Sequence, residues 1–175
     1  RALQPAMYLG GTSLDPTHLL GCVERYIDDI DGDAAIATIQ RKFERPQFRS
    51  GVLIELADMP SIGDVVEKDG MGTGVRCGFV DGFGQYKMGG PDGPMKGFRI
   101  VRGDEKPCRE DLSQHADSGS VWYRKTDDKK HGIGVGLHVG GDMSVADENI
   151  RPAIACYLTV VLEKLGVRIS PEPDA

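Results

Sequence analysis

The sequence predicts an α+β domain, a largely antiparallel and curved sheet carrying two N-terminal helices and one C-terminal helix. Three observations predict it. Apolar residues first recur at helical spacing, then alternate along short segments broken by turn formers, and return to helical spacing near the C-terminus.

Asp15-Pro16 has the chemistry of a helix start, because Asp accepts from free N–H groups and Pro at the first helical position gives up no hydrogen bond. Leu19, Cys22, Val23, Tyr26, Ile27 and Ile30 follow as one stripe until Asp31-Gly32-Asp33 interrupts it. A second helix is expected over Ala34 to Phe43, ending ahead of Pro46 because the residue before proline avoids the helical region. A short first strand is expected at Met7 to Leu9.

From Gly51 the period becomes two. Strands are expected at Val52–Leu56, Val65–Glu67, Val75–Val80, Gln85–Met88, Phe98–Val101, Val121–Arg124 and Ile133–Val139. Asp69-Gly70, Asp81-Gly82, the run Gly89 to Gly93 and Asp127-Asp128 separate them, and Asp-Gly between alternating segments signals a hairpin. With no helix between these strands, the sheet should be antiparallel. Residues 104–119 are polar and patternless and read as a long loop. A last helix is expected from Pro152 to Leu165, closed by Gly166 in a left-handed cap, with 167–175 as an exposed tail. This order is compatible with a helix-grip architecture, in which a curved sheet wraps a long final helix around a cavity.

The 175 residues suit one domain, with 1–175 as its extent, and 39% hydrophobic against 27% charged residues suits a globular, soluble one. No apolar run approaches the roughly 20 residues that cross a bilayer, so no membrane partner is expected. A net charge of −6 argues against sequence-independent nucleic-acid binding. Arg41, Lys42, Arg45 and Arg49 read as a solvated helix end rather than a basic patch. The four cysteines show no C-x-x-C spacing, and their pairing is left open; a reducing cytoplasm is expected. The chain opens on Arg1 with no signal-peptide pattern, which is also what a fragment of a longer chain would show.

The 24 glycines carry the main functional signal. Gly70-Met71-Gly72-Thr73-Gly74 and Gly132-Ile133-Gly134-Val135-Gly136 use them with a period of two, which leaves one strand face bare. Something must approach those backbones closely, either a ligand or the protein's own packing. Neither run is a phosphate loop, since strands follow them and no Walker lysine exists.

Other patterns are incomplete. Tyr26-Ile27-Asp28-Asp29 spells a polymerase metal signature but continues the helical stripe. Asp29, Asp31 and Asp33 have EF-hand spacing, yet Ala34 stands where glycine is required and Gln40 where the bidentate Glu belongs. His115 and His138 lack the partners of a zinc peptidase site. Cys22, Gly63-Asp64 and His131 follow in the order used by papain-like amidases, where a thiolate attacks an amide with His131 or His138 as base.

The expectation is therefore a small-molecule or partner-binding module using the glycine-rich sheet face. Arg76, Trp122, Arg124, His138, Gly132, Gly134 and Gly136 would be its contacts, with no metal, cofactor or catalytic residue assigned. The alternatives are a cysteine-dependent amidase or peptidase built on Cys22, and a structural subunit that assembles with further copies of itself.

Overall fold

The structure is a computed structural model that describes residues 2–3, 19–39, 50–87, 93–104, 108, 111–142, 145 and 151–169. Among the described residues it is almost entirely β. The strands are β1 (Ala2–Leu3), β2 (Leu19–Asp29), β3 (Gly32–Ile39), β4 (Leu53–Ala57), β5 (Val65–Gly70), β6 (Gly74–Tyr86), β7 (Met95–Val101), β8 (Val121–Lys125), β9 (His131–Gly141) and β10 (Ala153–Tyr157). One helix, α1 (Leu158–Leu165), follows β10 directly.

The α+β expectation is thus corrected to a β-barrel. Strands β10-β7-β6-β5-β8-β9 pair in that order, and β10 also pairs with β9, so the antiparallel ring closes on itself. β4 runs parallel to the first half of β9 and extends the sheet outside the ring. Inside lie Val66, Val80, Phe98, Ile100, Leu112, Trp122 and Val135, all at most 1% exposed.

The expected helix at 19–30 is strand β2, paired antiparallel with β3 across a turn at Ile30-Asp31. The second expected helix is β3, whose Ala34 and Ile36 pack against the side of α1 that carries Val161 and Leu165. Residues two apart share a strand face, and neighbouring backbone overrides the helical preference of Ala34, Ala35 and Ala37. The acidic tip is neutralised by Lys164, whose Nζ lies 2.8 Å from Asp29 and 2.6 Å from Asp31, so this turn is an ion-pair clasp to α1.

The expected C-terminal helix is half strand. Residues 153–157 pair with β9, 153–155 pair with β7 on the other edge, and only the last eight residues, from Leu158, coil. That leaves no long helix for a sheet to grip. Gly166 does close it in the left-handed region, at φ 60°. Asp81-Gly82 is a register shift inside one long strand rather than a turn, so Gln85 and Tyr86 of the expected Gln85–Met88 strand belong to β6, and Met88 lies outside the described residues. Val167 packs against the α1 cluster, and residues 170–175 of the expected tail lie outside the described residues. The expected strand at 7–9 and the basic residues 41–49 lie outside the described residues. No described helix is long and apolar enough to cross a membrane.

Candidate functional site

The segment 111–120, most of it read from sequence as part of a long loop, brings a buried carboxylate onto a strained turn. It leaves Leu112 buried in the barrel and ends at Val121, the first residue of β8. A turn closes from Asp117 N–H to the Gln114 carbonyl at 3.2 Å, and Ser120 N–H returns to the Asp117 carbonyl at 3.0 Å. Ala116 sits at φ 76°, where a Cβ is strained, and Gly119 at φ 86°. Strain of this kind persists only where the surroundings over-determine the backbone.

Asp117 is what over-determines it. Its side chain is fully buried, and both oxygens are occupied. Oδ1 accepts from the N–H groups of Gly72 (2.9 Å) and Thr73 (3.0 Å). Oδ2 accepts from Lys68 Nζ (2.8 Å), Thr73 Oγ1 (2.9 Å) and Gln114 N–H (3.0 Å). Burial opposes ionisation, but the Lys68 ammonium and these donors outweigh it and hold the carboxyl far below the usual carboxylate range. Burial also lowers the affinity of Lys68 for its proton, and the hydrogen bond to Asp117 offsets this only in part.

The first glycine run makes room for this carboxylate. A Cβ at Gly70 would stand 2.2 Å from Asp117 Oδ1, and one at Gly72 would stand 2.3 Å from the His115 carbonyl. The second run packs against the protein itself. A Cβ at Gly134 would lie 2.5 Å from Leu158, and one at Gly136 would lie 2.4 Å from Phe98, while Gly132 meets Ile54, Tyr123 and Val52 at 3.0 Å. The expected ligand-binding sheet face is therefore corrected: the closest approach to these glycines is made by side chains of the barrel.

The residue after Asp117 is Ser118. It is exposed, and its Oγ donates to the Val139 carbonyl of β9 at 3.1 Å. The backbones of Gly119 and Ser120 pair with His138, one bond each way at 2.8 Å. Among the described residues, neither the Ala116 nor the Ser118 N–H donates to a protein acceptor.

Two of the expected contacts, His138 and Trp122, come together beneath this turn. Trp122 Nε1 donates to His138 Nδ1 at 3.2 Å, and His138 Nε2 lies 3.0 Å from Ser113 Oγ. Burial, with a smaller contribution from Lys68, lowers the pKa of His138 to about 3. The ring is neutral, Nδ1 is its acceptor, and Nε2 carries the proton donated to Ser113. Lys68 Nζ lies 5.6 Å from the Trp122 ring centre, within cation–π range. Arg76 bonds the Asp111 carbonyl at the start of the segment, at 3.2 Å. Arg124 stands apart, paired with Asp58 (2.8 Å) and Asp64 (3.4 Å).

Cys22 is exposed in the middle of β2, in a different sheet from His131 and His138, and the geometry forms no thiol–imidazole pair. His131 instead lies 2.5 Å from Asp128 and 3.4 Å from Glu55. Among the described residues, no group of three His, Cys, Asp or Glu side chains could hold a metal ion. Sequence reasoning missed Lys68, Ser113, Asp117 and Ser118. The usable signal was Asp117-Ser118-Gly119-Ser120 directly ahead of a buried strand.

No protein-family model and no curated protein matches the sequence. Solved structures do. A glutamic-acid-specific serine protease, described as using a histidine triad in substrate binding, superposes with a TM-score of 0.64 at 21% identity, covering 86% of this chain and 73% of that one. A Nocardiopsis protease superposes at 0.60 and 18% identity, with the same coverage of each chain. These likenesses establish architecture: the chain has the chymotrypsin-like β-barrel fold of serine proteases.

Proposed function

We propose that the chain is a serine-peptidase domain in which Ser118 is the nucleophile. The observation that carries this reading is an exposed serine on a strained turn whose preceding carboxylate is buried and bonded through both oxygens. In this reading Ser118 Oγ attacks the scissile carbonyl carbon and passes its proton to a base. The carbonyl oxygen becomes an oxyanion, stabilised by the N–H groups of Ala116 and Ser118. Collapse expels the amine, protonated by the same base, and water then releases the acyl group from Ser118. Among the described residues, none of His115, His131 and His138 hydrogen-bonds Ser118 Oγ, and the fourth histidine of the chain, His18, lies outside them.

The pair Ser113–His138 suggests the side chain preferred beside the scissile bond. Because His138 Nε2–H donates to Ser113, the Ser113 hydroxyl keeps its own proton for a further acceptor. Ser113 is only half-buried, and residues 138 and 139 of β9 place it and Ser118 along one strand. A substrate side chain ending in an oxygen acceptor, such as a carboxylate or carboxamide, fits that donor.

A fluorophosphonate probe tests the proposal, since it phosphonylates only an activated serine. The expected result is labelling of the wild-type chain at Ser118, and none of Ser118→Ala, whose melting temperature stays within about 2 °C because the site is exposed. No labelling of the wild type, or equal labelling of Ser118→Ala, overturns it.

A further inference from the structure

We infer that the peptide between His115 and Ala116 is a two-position switch. Gly72 seats it with the Ala116 N–H free to meet an oxyanion, and strain at Ala116 drives it to turn over and withdraw that donor. The inference rests on Ser118 being the nucleophile and concerns how much of the time the site beside it is competent.

Turn chemistry carries it. Asp117 N–H closes the turn on the Gln114 carbonyl at 3.2 Å, and within residues 114–117 only Ala116 has a positive φ, 76°. That combination is a type II turn, whose third residue is normally glycine. Alanine there favours type I, because its Cβ crowds the backbone at positive φ. The two types share the closing hydrogen bond and differ by half a revolution of the central peptide, here His115–Ala116. The bonds to Asp117 fix the ends of this turn and leave its central peptide able to rotate.

A separate contact opposes the strain. A Cβ at Gly72 would stand 2.3 Å from the His115 carbonyl oxygen, so that oxygen occupies space which only glycine leaves open. A trans peptide points its N–H opposite to its C=O. Seating the oxygen on Gly72 therefore turns the Ala116 N–H away from the β5–β6 turn, where no protein acceptor among the described residues takes it. After the half-revolution a carbonyl stands in its place, and a carbonyl repels an oxyanion. Among the described residues, the other non-glycine at positive φ is Lys129, in the exposed β8–β9 turn. Strain at Ala116 thus coincides with the donor that the chemistry uses.

The experiment compares the wild type, Ala116→Gly and Gly72→Ala by fluorophosphonate labelling, thermal melts and amide nitrogen relaxation dispersion. Ala116→Gly removes the penalty of one left-handed alanine, so the maximal labelling rate should rise about 10-fold while the half-saturating probe concentration changes little. Gly72→Ala displaces the seated carbonyl, and labelling should fall on the order of 100-fold, as when an oxyanion donor is lost. Ala116→Gly labelled at the wild-type rate, with only its melting temperature raised, overturns the inference, because the strain would then burden the fold without emptying the competent state. Gly72→Ala labelled as fast as the wild type overturns it too. If the wild type itself is unlabelled, the peptidase reading fails and relaxation decides the switch separately. Microsecond-to-millisecond exchange at the Ala116 amide that disappears in Ala116→Gly sustains it, and flat profiles in both proteins end it.

Discussion

His138 spans two roles at the residue scale, as a member of the barrel core and as the support of Ser113. Its pKa falls from 6.5 to about 3 because burial disfavours the charged ring. The unfolded chain therefore binds a proton that the folded one refuses. The stability this contributes is present above the unfolded value of 6.5 and is lost as the pH falls towards 3. Denaturant titrations at pH 7, 6 and 5 should show this slope, and His138→Gln, which keeps a donor and an acceptor, should flatten it. Asp117 adds a slope of the same sign only below its ordinary range, as its depressed pKa requires. Cys156 obeys the same burial physics away from the turn that carries Ser118. It is buried beside Leu137, its thiol is pushed up to about 11, and alkylation of the native protein should spare it.

At the element scale, the glycines of β9 let the barrel close with large side chains inside. Gly136 pairs with Trp122 on one side and Tyr157 on the other, and the Phe98 ring occupies the space its side chain would fill. Gly136→Ala places a methyl group 2.4 Å from a ring that is itself 0% exposed and has no room to retreat. The expected cost is about 1–3 kcal/mol of stability, seen as a melting temperature lower by roughly 3–10 °C. The period-two glycine pattern was legible in sequence, and so were β4, β5, β7, β8 and β9 to within a few residues at their ends. What filled the bare face was not legible, because Phe98, Leu158 and Asp117 come from a strand, a helix and a loop distant in sequence. The two N-terminal helices failed for a related reason. Val23, Tyr26 and Ile27 have helical spacing, but the pairing of β2 with β3 makes the segment a strand, which leaves Tyr26 74% exposed while Ile27 packs inward.

At the scale of the whole molecule, a disulfide between Cys77 and Cys108 links β6 to the approach to the segment 111–120, across 31 residues. Closing a loop of that length stabilises by about 3–4 kcal/mol on chain-entropy grounds. Reduction, or the paired replacement Cys77→Ser with Cys108→Ser, should lower the melting temperature by roughly 10 °C. An unchanged melt under reducing agent would mean that the two thiols are unbonded in solution. Such a bond endures in oxidising compartments, so the redox state of this pair in cells bears directly on where the protein works.

The sequence by itself determined the local grammar: the alternation that makes strands, the turn formers between them, the Gly166 cap, and the places where the backbone had to stay bare. Those are properties of residues a few positions apart. Only the tertiary structure decided that the sheet closes through β10 and that Lys68 meets Asp117 across 49 positions. Ring closure and buried charge pairing are long-range events, settled by which distant backbones find hydrogen-bond partners and which charges find each other away from water.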